Sequence, residues 1–370
     1  MYRNIIYDKK LSKKEKIKNL MTYYFRLRGA RIVWNTYWPT VYKANPAYQQ
    51  AAETEIEKAH IQYWKPFRRK VCLASLRIGK NISGNADPKI IPEEVFMTDI
   101  EPTLNRTKCV HFLSFKSTYN HWFPEDPFPK DYLHNIDGQW LDQDLKPISM
   151  NQVKSIAGTL NYPVVLKPNR DSYGGSNISF PESSDDLIEQ LDGKKNFLVE
   201  EMLTQHSYFT QFNTHGINSV RVNIYRSVVD NQLHVVNLAF RMGVGGSLDN
   251  LTSGGIGVMI RKDGMMDGYA LDGKGRKFLK HPDTGLTFDK EIPDFENLKR
   301  VALRVASKIL YARIICLDLC YDSQGNWKMI EVNLNGTTLM FAQFHGVSFF
   351  DQYTDEVRDY CIKNHWLLNP

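Results

Sequence analysis

The chain has 370 residues, 42% hydrophobic and 12% aromatic, which is ample for a core and long for one domain, so two or three subdomains are expected. Lys and Arg outnumber Asp and Glu 47 to 41, a net charge of +6, but no RNA or DNA motif interleaves the basic residues, which argues against a nucleic-acid partner. No apolar run approaches the roughly 18 residues of a membrane span, and the opening Met1 to Lys18 is polar and basic, so a cytoplasmic location is expected.

Residues 1 to about 105 read as a mainly helical start passing into a mixed region. Lys9 to Arg31, KKLSKKEKIKNLMTYYFRLRGAR, is a basic, helical-looking stretch with Tyr23, Tyr24, Phe25 and Leu27, and FRRK follows at Phe67 to Lys70. It is either a solvated helix face or a contact for an anionic lipid surface. Asn81 to Asp87 reads as a loop. From about 106 to 160, Pro124, Pro127 and Pro129 mark irregular chain and Asp137-Gly138 a turn.

Val164, Val165 and Leu166 read as a buried strand. Lys167 precedes Pro168, which stops the strand and biases the lysine toward an extended backbone, able to reach a phosphate. Asn169 to Asn177 follows with Ser172, Gly174, Gly175 and Ser176, whose amides suit triphosphate oxygens, although a surface turn fits the same string. No Walker A loop or GxGxxG fingerprint is present. A serine-capped helix is expected over Ser183 to Leu191. Asn196 to Leu203 (NFLVEEML) is a short strand ending in acids; its backbone could meet an adenine edge, with Glu201 or His206 reaching a ribose. The plainer reading is a buried strand with exposed acids at its end. Gly243 to Gly257 sets Asp249 and Asn250 between flexible runs, in a loop long enough to be functional or to be a hairpin connection.

Ile314 to Tyr321 and Asn326 to Asn333 are apolar-rich runs joined by Asp-Ser-Gln-Gly, a hairpin signal. If Tyr321 pairs with Asn326, Asp318 lies opposite Met329, with Glu331 its diagonal neighbour and Asn333 next on the same face. Three oxygen-bearing side chains on adjacent strands suit Mg²⁺ before Zn²⁺; an ordinary wet acidic face is the alternative. Cys316 and Cys320 share that face parity and read as site-lining or structural thiols. The five cysteines have no zinc spacing, and the ten histidines form no HxH or HExxH cluster, which argues against a zinc hydrolase. A closing helix is expected over Phe349 to Trp366.

Taken together, strand-Lys-Pro, glycine loop, helix, Glu-rich strand, Arg-bearing strand and an Asp followed by Glu-x-Asn resemble the ATP-grasp superfamily. NSVRVNIYR from Asn218, FRMGVGGSLDNLTSGGIGVMI from Phe240, HPDTG from His281 and IP from Ile292 are most similar to its sugar-transfer-associated group. The resemblance implies an α+β ATP-grasp fold over residues 106–370, with ATP held between a small lid (about 161–205) and a larger antiparallel sheet (about 206–350). It implies ATP and Mg²⁺ as cofactors, Lys167 on the α/β-phosphates, and Glu200, Glu201, Met202 and Leu203 as the adenine hinge. Arg221 would contact the transferring phosphate, Asn250 and its loop the phosphates or acceptor pocket, and Asp318, Glu331 and Asn333 the metal. The family's second phosphate lysine has Lys116 as its candidate and Lys130 as the rival. The implied chemistry joins a carboxylate to an amine through an acyl phosphate; phosphorylation of a sugar or polyol hydroxyl and nucleotide binding without turnover are the alternatives. Small-molecule carboxylate and amine substrates are expected, with a sugar acid and a lipid-linked sugar as candidates, and a homo-oligomer is allowed for.

Overall fold

The computed structural model describes the chain apart from residues 126, 171–176, 248, 250, 252–253 and 369–370, and apart from the side chains of residues 109 and 111. The first 105 residues form helices α1 (Tyr2–Tyr7), α2 (Lys13–Ala44), α3 (Thr54–Trp64) and α4 (Ala74–Ser83), then a helical run over residues 93–104. The expected mixed region is therefore helices and turns without a strand. A capping box starts α2: the Ser12 side chain accepts from the Glu15 amide, and the Glu15 carboxylate accepts from the Ser12 amide. Tyr23, Leu27, Ala30, Trp38 and Val41 recur at helical spacing and bury one face of α2.

A small antiparallel sheet is built from β1 (Asp131–Ile136), β2 (Gln139–Asp142), β3 (Val164–Pro168) and β4 (Phe197–Glu201), in the order β2-β1-β4-β3. Asp137 and Gly138 both take positive φ, 51° and 93°, which closes the β1–β2 hairpin at the expected turn. Leu133, Val164, Leu166 and Val199 pack on the helices Met150–Ala157 and Ser184–Leu191. The second helix is capped by Ser183, as expected, its side chain accepting from the Asp186 amide. The sheet begins at Asp131, well before the lid expected from about residue 161, because β1 pairs with the distant β4.

The large sheet contains β5 (Ser219–Arg226), β6 (Leu233–Met242), β7 (Ile256–Ile260), β8 (Met266–Asp272), β9 (Lys277–Phe278), β10 (Ile314–Tyr321) and β11 (Trp327–Asn333). Its order is β11-β10-β5-β6-β7-β8-β9, antiparallel throughout. Strand alternation sends Val222, Phe240, Leu317 and Leu319 to one face, where they pack on Leu298, Ala302 and Val305 of the helix Phe295–Ser307. Each such fully buried side chain contributes about 1.5–3 kcal/mol, which fixes the register of the opposite, polar face. The C-terminal helix runs Thr354–Lys363, shorter than the expected Phe349 to Trp366, and packs through Val357 and Cys361 against Trp64 and Phe96. Among the described residues no helix is long and apolar enough to cross a membrane.

Candidate active site

The polar face of the large sheet follows from its pairing. Asp318 on β10 stands directly opposite Glu331 on β11 and Arg221 on β5, while Cys316 faces Asn333 and Ser219 faces Arg241. Residues paired across antiparallel strands share a face, so this row of side chains converges. The expected register is corrected: Tyr321 pairs with Trp327, and a bulge between Asp318 and Leu319 brings Asp318 against Glu331 instead of Met329. The bulge makes the two carboxylates direct neighbours, not diagonal ones. Cys316 and Cys320 are buried on this face as free thiols, and burial pushes them up to about 11 and 12, so both stay protonated at neutral pH.

Asp318 is 3% exposed and would be costly to bury alone. Arg221 grips it in a two-pronged pair, Nε to Oδ1 at 2.8 Å and Nη2 to Oδ2 at 2.7 Å, and Arg241 Nη2 stands 3.2 Å from Oδ2. Asn333 Nδ2 donates to the same oxygen at 3.3 Å. Burial pushes the Asp318 carboxyl upward, but the two guanidiniums outweigh it and hold it at about 2. Glu331, more exposed, accepts a 2.9 Å ion pair from the buried ammonium of Lys116. Asp318, Glu331 and Asn333 are hard oxygen donors on paired strands, ringed by cations that already balance their charge, and this set fits Mg²⁺.

Lys116 is carried by a short 3₁₀ turn, Lys116–Thr118, docked on the end of β3. The Lys116 amide donates to the Asn169 carbonyl at 2.8 Å, and the Ser117 amide to the Asn169 side chain at 2.9 Å. The segment after the Lys-Pro step of β3 thus holds the Lys116 turn in place. The rival Lys130 has its ammonium 5.6 Å from the Tyr132 ring centre. Of the two, Lys116 is the one whose ammonium reaches Glu331. Lys167, also buried, pairs with Glu200 at 2.5 Å. It is no surface residue.

The chain beyond β4 ties the two sheets together. The Ser323 amide donates to the Thr204 carbonyl at 2.7 Å and the His206 amide to the Tyr321 carbonyl at 2.9 Å. Met202, 46% exposed, and Leu203 thus lie on the connection between β4 and the β10–β11 hairpin. The Glu201 carboxylate accepts from the Lys130 amide at 3.0 Å, and His206 Nδ1 accepts from the Tyr208 amide at 3.1 Å, capping a short helix. Both side chains proposed for the ribose already have local partners. Ser172, Gly174, Gly175, Ser176 and Asn250 lie outside the described residues.

Asp131 is a neighbour that sequence reading missed. It stands opposite Glu200 across β1 and β4, and burial pushes its carboxyl up to about 7 although Asn120 donates to it at 2.8 Å. A folded-state value above the unfolded one means stability is fully present below about pH 4 and is lost as pH rises toward 7. Asp131→Asn removes that penalty. The melting temperature of the variant minus that of wild type is therefore expected to be more positive near pH 8 than near pH 5; a difference independent of pH would contradict the assignment.

Arg241 was also missed as a site member, whereas Asp249 lies in the loop that the sequence singled out. Arg241 Nη2 donates to the Ser219 hydroxyl oxygen at 2.6 Å and lies 3.5 Å from the Asp249 carboxylate, to which the Ser219 hydroxyl donates. Alternation along β6 from its pairing with β5 would have found Arg241. A cleft of about 990 Å³ opens from Arg221, Arg241, Glu331 and Asn333 toward Tyr37 and Thr40 of α2, Lys274 and Phe341.

Two antiparallel sheets meeting around this charged row are the ATP-grasp fold. The model of the sugar-transfer associated ATP-grasp family matches residues 127–356, and the chain belongs to that family. The expected cofactors, ATP and Mg²⁺, agree with this membership. No curated protein matches the chain. Among solved structures, N5-carboxyaminoimidazole synthetase from Staphylococcus aureus is similar at 11% identity and TM-score 0.41, covering 66% of this chain and 51% of that one. The biotin carboxylase domain of 2-oxoglutarate carboxylase from Hydrogenobacter thermophilus is similar at 12% and 0.39, covering 64% and 46%. L-amino acid ligase from Bacillus licheniformis is similar at 12% and 0.36, covering 60% and 40%. The chain spans about half the length of the first of these structures.

Proposed function

We propose that the chain is a cytoplasmic ATP- and Mg²⁺-dependent ligase that joins a small-molecule carboxylate to an amine, releasing ADP, in the biosynthesis of a polysaccharide, sugar conjugate or related metabolite. One observation carries the reading: Lys116, Arg221 and Arg241, from three separate segments, meet Asp318, Glu331 and Asn333 at the end of a cleft. Phosphoryl transfer asks a protein mainly for positioning and charge neutralisation, and this cluster supplies both. Mg²⁺, when bound, would be held by Asp318, Glu331 and Asn333 and would add positive charge against the triphosphate.

Lys167 and Lys116 bind phosphate oxygens in this reading, and Glu200 to Leu203 lie along the adenine. Arg221 and Arg241 neutralise Asp318 at rest and face the phosphoryl group that moves. The carboxylate oxygen attacks the terminal phosphorus, ADP leaves, and the amine displaces phosphate from the acyl phosphate. Lys274 at the far side of the cleft offers a cation to an anionic substrate such as a sugar acid.

Turnover of ATP with Mg²⁺ and a panel of carboxylates, in the presence of hydroxylamine, tests the reading. ADP accompanied by a hydroxamate that forms only when a carboxylate is present is the expected result. ADP with a stable phosphate ester on a hydroxyl acceptor, and no hydroxamate, would replace the ligase with a phosphotransferase.

A further inference from the structure

Helix α2 has two opposite faces, and the active-site reading uses only the C-terminal end of one. Tyr23, Leu27 and Ala30 are buried, with Tyr23 hydrogen-bonded to the buried Asp99 at 3.1 Å, so the helix is fixed on the body of the protein. Away from that face, Ile17, Met21, Tyr24, Phe25 and Ile32 leave 49–61% of their surface in solvent. Their spacing of three, four and seven residues puts them in one stripe along the helix. Ile6 and Tyr7 of the packed helix α1 add two further exposed apolar side chains. Lys13, Lys14, Lys18, Arg28 and Arg31 are exposed along the same helix.

The charge is concentrated there as well. Residues 1–44 hold eleven Lys or Arg against two acids, net +9, in a chain whose total is +6, so the other residues together are slightly acidic. An apolar stripe flanked by Lys13 and Arg31 on one side and Lys18 on the other, with Lys14 and Arg28 long enough to snorkel out from within it, on a helix already formed, fits a helix lying in the plane of an anionic bilayer, with its apolar side chains among the acyl chains and its cations at the headgroups. A second copy of this face would set like charges against each other. A nucleic acid would use the cations but leave Ile17, Phe25 and Ile32 without a partner.

We infer that α1 and the N-terminal two-thirds of α2 form a docking surface for an anionic phospholipid bilayer. At about 1.5 Å per residue, α2 is roughly 48 Å long, and its C-terminal part places Tyr37 and Thr40 on the wall of the cleft. Both residues lie on the side of α2 away from the stripe, so docking holds the cleft within a few helical turns of the lipid surface while leaving its wall turned to the protein body. On the ligase reading, this is where a lipid-linked acceptor is presented.

Flotation of the full chain with vesicles, without ATP, reads docking independently of catalysis. Binding to phosphatidylcholine vesicles containing phosphatidylserine, weakened at least tenfold by high salt and weak on phosphatidylcholine alone, is the expected result. The combined variant Ile17→Ser, Phe25→Ser, Ile32→Ser changes only exposed positions and is expected to lose at least tenfold in binding while its melting temperature stays that of wild type. Lys13→Gln, Lys14→Gln, Lys18→Gln is expected to lose binding in the same assay. Equal flotation of the apolar variant and wild type, or equal binding to neutral and anionic vesicles, would overturn the inference. So would a concentration-dependent dimer abolished by the same apolar substitutions, or a nucleic acid retained through them. ATP turnover lost while flotation persists would count against the ligase reading alone.

Discussion

Glu331→Gln is expected to lower Mg²⁺-dependent ATP turnover by roughly two to three orders of magnitude, the scale of losing one preorganised charge at a reacting phosphoryl group, about 3–4 kcal/mol of barrier. Glu331 faces Asp318 across the hairpin and takes the Lys116 ammonium at 2.9 Å, so on the proposed reading the substitution removes a metal donor and the counter-charge of a phosphate lysine together. Folding should change little. Glutamine keeps the shape and a carbonyl oxygen that can accept from Lys116, and Glu331 is partly exposed, so the cost is about 1 kcal/mol. Asp318→Asn is a harsher change, because it leaves Arg221 and Arg241 facing a neutral amide. Turnover by Glu331→Gln equal to wild type would remove the hairpin from the site.

Lys167→Ala is expected to weaken ATP binding or slow phosphoryl transfer by roughly tenfold to a hundredfold, and also to destabilise the fold by several kcal/mol, because it leaves the buried Glu200 carboxylate unpaired beside Asp131. The two effects separate in a double variant. Lys167→Met with Glu200→Gln removes both charges, and most of the lost stability should return while ATP affinity stays low. Urea unfolding and equilibrium ATP binding on the same samples read the two quantities. An affinity and rate equal to wild type in Lys167→Ala would leave the lysine a structural role only.

The parity of Asp318, Glu331 and Asn333 was legible because strand alternation is a local property, and the apolar residues between them pin the face. Their pairing was not, since the bulge after Asp318 depends on how the turn at Asp322–Asn326 closes. Arg241 was in plain sight on β6, but its place beside Asp318 needs the β5–β6 register, which a bulge between Asn223 and Ile224 shifts. Lys116 sits on a 3₁₀ turn with no periodicity, and its partner is more than 200 residues away, so sequence named it as the candidate but kept Lys130 as a rival. The small sheet was half legible. Lys167-Pro168 and the Asp137-Gly138 turn were read, whereas the union of β1 with β4 rests on pairing that no local pattern carries. The N-terminal helices were read from their charge and length, but only burial distinguishes the two faces of α2.

The central claim is that residues from both sheets form one Mg²⁺-ATP site, and hydrogen exchange with and without Mg²⁺ and a non-hydrolysable ATP analogue tests it most directly. Binding at one shared site slows exchange together at residues 116–117, 164–169, 200–206 and 316–333, with no such protection in Glu331→Gln at the same nucleotide concentration. Protection confined to one sheet, or none at saturating nucleotide, would contradict it.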